Sequence, residues 1–288
     1  MEILCNAKLN LSLDLTGLRE DGYHLIDSVM QSVDLYDYIT VNPVNTGKIT
    51  IRTNLSYLPT DERNLVHKAA ALLSSKYSGK NNGLDITIKK IIPSQAGLAG
   101  GSSNAAGTLL ALRQLWNLDL NDEELVELGL TLGADVPFCL TGGTARVRGI
   151  GEIIEPVKPL KNCFFVIVMP NKGVSTREAF KLIDEKENYK RPNTDSLIAA
   201  IDEGNTNLTA DNLINVFNTA GICEFSPEIG DKLRSFGALG VSLTGSGAAG
   251  FGFFKDRKDA DACLLEIRKN HRAWVARPVG YGIIIRKV

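Results

Sequence analysis

Along residues 7–16 apolar and polar side chains alternate, with Leu9, Leu11, Leu13 and Leu15 in one phase and Lys8, Asn10, Ser12, Asp14 and Thr16 in the other. A period of two predicts a half-buried strand, and it places Lys8 and Asn10 together on the polar face. The alternation returns over residues 84–89, where Leu84, Ile86 and Ile88 oppose Asp85, Thr87 and Lys89. Residues 38–41 and 48–52 read as further strands. Asn64 is placed to cap a helix carrying Leu65, Ala69, Leu72 and Leu73. Beyond residue 100 the spacing becomes four, three and four, at Ala105, Leu109, Leu112 and Trp116, which is one face of a helix. Asn121 with Glu124 opens another, close to a capping box, that ends near Gly129.

Around residues 151–161 the chain turns proline-bearing and irregular, so the expected division is residues 1–152 and 153–288. The second part starts with a buried strand over 164–169, followed by Ser175 and Glu178 capping a helix that carries Phe180. Helices are expected near 195–202, 208–219 and 227–236, and strands over 239–243 and 251–254. A last helix carries Ala260, Cys263, Leu264 and Ile267, before strands near Trp274 and at 283–285. The last strand is free to belong to either part. Both parts mix strands and helices, which makes the expected fold class α+β.

Candidate chemistry sits where these elements join. Between the strand at 84–89 and the helix beyond residue 100 lies PSQAGLAGGSSNAA, residues 93–106. A glycine-rich turn entering a helix leaves backbone N–H groups at the positive end of the helix dipole, an arrangement that suits a phosphate. The same small residues also serve a turn that lets strand and helix pack closely. No Gly-Lys-Ser/Thr closes the stretch, and it lacks the spacing of a dinucleotide fingerprint. Gly245, Gly247 and Gly250 do have that spacing, but a strand is expected after them where the fingerprint needs a helix. They read as a tight strand–turn–strand that brings backbone close to a ligand or to the first glycine loop.

Three single residues have two readings each. Asp135, between Gly133 and Pro137, sits in a fixed turn, where it either caps a turn or helix or accepts a proton. Lys8 belongs either to a solvated face or, beside the poor strand former Asn10, to a site. His24, next to Tyr23, is either a ligand contact or a turn residue.

Composition narrows the classes. The chain has 288 residues and a formal net charge of −1, so no global field attracts nucleic acid or an anionic membrane. Any phosphorylated substrate must be held by local groups. Cys5, Cys139, Cys163, Cys223 and Cys263 are scattered and odd in number, which disfavours a disulfide framework and a zinc site. No leader-like start and no long apolar run is present, and a cytoplasmic protein is expected.

Four stretches stand in a fixed order: AKLNLSL from Ala7, PSQAGLAGGSSNAA, GADVPF from Gly133, and LTGSGAAGFG from Leu243. Together they resemble the GHMP kinase superfamily, whose members phosphorylate small molecules with ATP. With REDGYH at residues 19–24, they look most like its branch on the non-mevalonate route to isoprenoid precursors. The resemblance implies two α+β domains with the active site in the cleft between them, ATP and Mg²⁺ as cofactors, and a cytidine diphosphate substrate. It implies a monomer or weak homodimer without nucleic-acid or membrane partners. It assigns the ATP phosphates to Pro93, Ser94, Gln95, Ala96, Gly97, Leu98, Ala99, Gly100, Gly101, Ser102 and Ser103. Asn64, Lys90 and Asn104 would lie near the nucleotide. Asp135 would be the catalytic base, with Lys8 as its partner. Asn10, Tyr23, His24, Thr176 and Phe180 would enclose the substrate, and Gly245, Ser246 and Gly247 would pack beneath it. Sister kinases for mevalonate, homoserine or galactose, and a nucleotide-binding regulator without catalysis, are the rival readings.

Overall fold

The computed structural model describes residues 1–77, 83–170, 175–223 and 225–286. The first half contains β1 (Glu2–Leu18), β2 (His24–Pro43), β3 (Ile49–Thr53), α1 (Leu65–Lys76), β4 (Leu84–Lys89), α2 (Gly100–Leu115), α3 (Asp122–Leu132), α4 (Val136–Thr141), β5 (Thr144–Gly149) and β6 (Ile153–Pro156). The second half contains β7 (Phe164–Met169), α5 (Thr176–Ile183), α6 (Thr194–Glu203), α7 (Thr206–Asp211), α8 (Val216–Thr219), α9 (Pro227–Ser235), β8 (Gly240–Leu243), β9 (Gly250–Phe254), α10 (Arg257–Ile267), β10 (Arg272–Ala276) and β11 (Ile283–Arg286).

Two sheets organise these elements. The first runs β11-β1-β2-β4-β3, with β5 and β6 added beside β2; the second runs β10-β7-β9-β8. β11 pairs antiparallel with β1, so the last strand returns to the first sheet. The hairpin β5–β6 straddles the division expected after residue 152. The chain therefore changes sheets between Pro156 and Phe164, in the proline-bearing connection itself.

β1 differs from a half-buried strand in an informative way. Its leucine face is buried, but so is its polar face: Lys8, Asn10 and Ser12 are each at most 3% exposed. Leu9 and Leu11 share one apolar cluster with Phe165, Ile167, Phe251 and Phe253 of the second sheet. Leu13 and Leu15 pack with Ala179, Ile183, Val216 and Phe217. At about 1.5–3 kcal/mol for each large apolar side chain buried, these contacts weld the two halves together along β1. The turn between β8 and β9 then covers the polar face.

Local signals act as the sequence suggests. Asn64 caps α1 by accepting from the Val66 N–H at 2.9 Å, and Asn121 and Glu124 form a reciprocal capping box on α3. The single helix expected over 208–219 is instead α7 and α8. Asn215 breaks it: its side chain caps α8 at the Phe217 N–H and donates to the Leu243 and Gly245 carbonyls. No helix among the described residues is long and apolar enough to cross a membrane.

Candidate active site

The glycine-rich loop enters α2 through left-handed backbone at Gln95, Gly97 and Ala99. Gly97 has no alternative there. Its φ is +75°, and a Cβ would stand 2.1 Å from the Thr244 carbonyl oxygen. Gly245 meets the same contact from the other side, since a Cβ on it would lie 2.8 Å from the Gly97 Cα. The two glycine runs are thus in van der Waals contact. The β8–β9 turn is the strand–turn–strand expected, and it braces the first loop.

Two clefts flank this contact. One, of about 480 Å³, is lined by loop residues 93–102, Asn104, Asn64 and Lys90, with the N–H groups at the start of α2 at its wall. The other, of about 1010 Å³, is lined by Lys8, Asn10, Tyr23, His24, Phe180 and Ser246, among others. Asp135, Gly97 and Thr176 line both. Ser103 is fully buried behind the loop and lines neither cleft. Gly247 packs toward the Cys223 sulfur, away from both.

Asp135 occupies the N-cap position of α4, yet its carboxylate makes no capping bond. Its Oδ1 lies 3.9 Å from Lys8 Nζ, close enough for charge attraction and too far for a hydrogen bond. Lys8 Nζ donates to Asn10 Oδ1 at 2.6 Å. Asn10 is fully engaged: Oδ1 also accepts from the Gly245 N–H at 2.8 Å, Nδ2 donates to Ser28 Oγ at 2.8 Å, and the backbone N–H donates to Thr244 Oγ1 at 3.0 Å. Asn10 therefore holds Lys8 in place and ties β1 to the second glycine turn. Cys139 lies on α4 and is buried. Burial, and next the charge of Asp135, push its thiol well above the usual range.

At the far end of the larger cleft the His24 and Phe180 rings meet at 4.9 Å, and Phe180 in turn packs against Phe217. His24 Nε2 and Asp184 Oδ1 are 2.7 Å apart, a bridge between the halves. Nearer the junction, Ser246 Oγ donates to Thr176 Oγ1 at 3.2 Å.

Lys90 and Asn104 line the smaller cleft but are turned to another use. Lys90 Nζ donates to Asp37 Oδ2 and, at 3.1 Å, to Asn104 Oδ1; Asn104 Nδ2 donates to Asp37 Oδ2 at 3.0 Å. Asp37 Oδ1 accepts from the Ile91 and Ile92 N–H groups just before the loop. Asp37, Thr244, Ser28 and Asp184 escaped the sequence reading. Only Asp37 carried a local signal, an acid in phase with Leu35, Ile39 and Val41.

Comparison with known proteins places this geometry in a family. The profile for the GHMP kinases N terminal domain matches residues 64–143, and that for GHMP kinases C terminal matches 196–273. A 4-diphosphocytidyl-2-C-methyl-D-erythritol kinase of Clostridium novyi is 47% identical over 89% of this chain and 92% of its own. The chain belongs to the GHMP kinase family. It is a small-molecule kinase with ATP as phosphate donor, and its two-domain α+β fold is that of the family. A second relative of the same name, from Clostridium perfringens strain SM101, is 44% identical over 94% of this chain and 95% of its own. A crystal structure of 4-(cytidine 5'-diphospho)-2C-methyl-D-erythritol kinase superposes with a TM-score of 0.80 at 32% identity, over 98% of this chain and all of the other. The homoserine kinase of Cytophaga hutchinsonii shares the fold, with a TM-score of 0.78 at 19% identity over 99% of this chain and 96% of its own.

Proposed function

We infer that this chain transfers the γ-phosphoryl group of ATP to a hydroxyl of 4-diphosphocytidyl-2-C-methyl-D-erythritol, on the non-mevalonate route to isoprenoid precursors. The relatives that share most of its length carry that kinase name. The observation that carries the mechanism is the meeting of the two clefts at Asp135.

In this reading the N–H groups of the glycine loop and the start of α2 receive the ATP phosphates. The substrate enters the larger cleft with its cytosine against Phe180 and His24 and its reacting hydroxyl at Asp135. Asp135 orients that hydroxyl and takes its proton as the oxygen attacks phosphorus. Lys8, held by Asn10, offsets the negative charge on the phosphoryl oxygens. Such transfers depend on positioning and charge more than on covalent chemistry by the protein.

The donor set fits a Mg²⁺ ion carried by the nucleotide. Among the described residues no group of three or more His, Cys, Asp or Glu side chains is arranged to hold a metal ion. Ser102 would supply a protein oxygen at the smaller cleft, and Mg²⁺ commonly takes only one or two such ligands beside phosphates and water. When bound, the ion would neutralise phosphate charge. Each chain contains both clefts whole, so the reaction as proposed needs no residue from a second copy. All five cysteines are buried and unbridged, as suits the cytoplasm.

The test is ATP consumption by the purified chain with 4-diphosphocytidyl-2-C-methyl-D-erythritol, mevalonate, homoserine and galactose. Turnover is expected with the first alone, and preference for another would overturn the assignment. Phe180→Ala is expected to raise the KM of the cytidine substrate by about tenfold, in line with roughly 1–3 kcal/mol for base stacking, and to leave that of ATP close to its parent value. Equal effects on both would remove Phe180 from the cytosine site.

A further inference from the structure

The larger cleft holds more positive charge than the mechanism uses. Its acidic lining groups, Asp135 and Asp184, already face Lys8 and His24. Arg177 and Lys181 also line it, and neither makes an ion pair or hydrogen bond to another described residue. They lie four apart on α5, hence on one face of the helix.

α5 runs along the length of the cleft. At its start Thr176 lines both clefts and bonds to Ser246; at its end Asp184 holds His24. The eight steps from Thr176 to Asp184 span about 12 Å at 1.5 Å each. A substrate with its reacting hydroxyl at Asp135 and its base at Phe180 therefore lays its middle past Arg177, with Lys181 one turn further on, beside the base. On the reading above, that middle is a diphosphate.

We propose that Arg177 and Lys181 form the subsite for the substrate's diphosphate. With a net charge of −1 on the chain, these two side chains supply locally the attraction that the molecule lacks as a whole. Arginine offers a fork to phosphate oxygens, and lysine a point charge.

Calorimetric titration of the full chain with cytidine and with CDP, ADP saturating the other cleft, tests this. CDP is expected to bind at least about tenfold more tightly than cytidine, the scale of charge-assisted hydrogen bonds. In the Arg177→Ala/Lys181→Ala variant that advantage should vanish while cytidine affinity holds, and Arg177→Lys should keep most of it. In turnover, the double variant should raise the KM of the cytidine diphosphate substrate and not that of ATP. Equal binding of CDP and cytidine by the parent chain, or an undiminished CDP advantage in the double variant, would overturn the subsite. If the parent chain bound neither, the cytidine reading itself would fall, and the subsite with it.

Discussion

Asp135→Asn is expected to lower phosphoryl transfer by about 10²–10⁴-fold, the usual weight of a positioned general base, with ATP binding and thermal unfolding little changed. The substitution keeps shape and removes only charge and basicity. Three observations separate it from a structural lesion. The carboxylate makes no capping bond to α4, so the helix start loses nothing. It stands 3.9 Å from Lys8 with 34% of its side chain exposed, and ion pairs open to water are worth about 0–1 kcal/mol. Lys8 keeps its hydrogen bond to Asn10, so the cation stays in place. Single-turnover phosphoryl transfer, measured beside ADP affinity and a melting curve, reads all three quantities. Full activity in the variant would end the role of Asp135 as base. Loss of ADP binding together with activity would make Asp135 a nucleotide ligand instead.

The elements legible in the sequence are those whose signals are local. The alternation of β1 and β4, the spacing of α2, and the caps Asn64, Asn121 and Ser175 act within a few residues of themselves. Each stands where it was expected. What escaped depends on partners far along the chain. Lys8 and Asn10 share a strand face in the sequence, but whether water or protein covers it is decided by Thr244 and Gly245. Asn215 looks like a residue within a helix until its amide meets the Leu243 and Gly245 carbonyls. The placement of Ser103 illustrates the opposite error. A contiguous motif suggests contiguous contacts, whereas a helix turns 100° per residue and carries every third or fourth side chain inward. Ser102 faces the cleft and Ser103 the core.

Lys90→Met is expected to destabilise the chain by about 3–5 kcal/mol, because it leaves a fully buried Asp37 carboxylate without its cation. At roughly 2–4 °C per kcal/mol for chains of this order, the melting temperature should fall by about 10 °C. The pair lies on the apolar phase of both strands: Asp37 alternates with Ile39 and Val41, and Lys90 follows Ile86 and Ile88. Its side chains are 3% and 0% exposed. Asp37 gathers the Ile91 and Ile92 N–H groups, and Lys90 Nζ packs so tightly beneath Gly100 that a Cβ there would lie 2.9 Å from it. The ion pair thus sets the floor of the glycine-rich loop. This position makes a direct nucleotide contact by Lys90 and a positioning role distinguishable. In Asp37→Asn/Lys90→Met the asparagine keeps an acceptor for the two N–H groups and offers a donor to Asn104, with no charge left buried. Most of the lost stability should return, and the KM for ATP should return with it. A double variant that regained its melting temperature but still bound ATP poorly would show that the Lys90 ammonium touches the nucleotide itself.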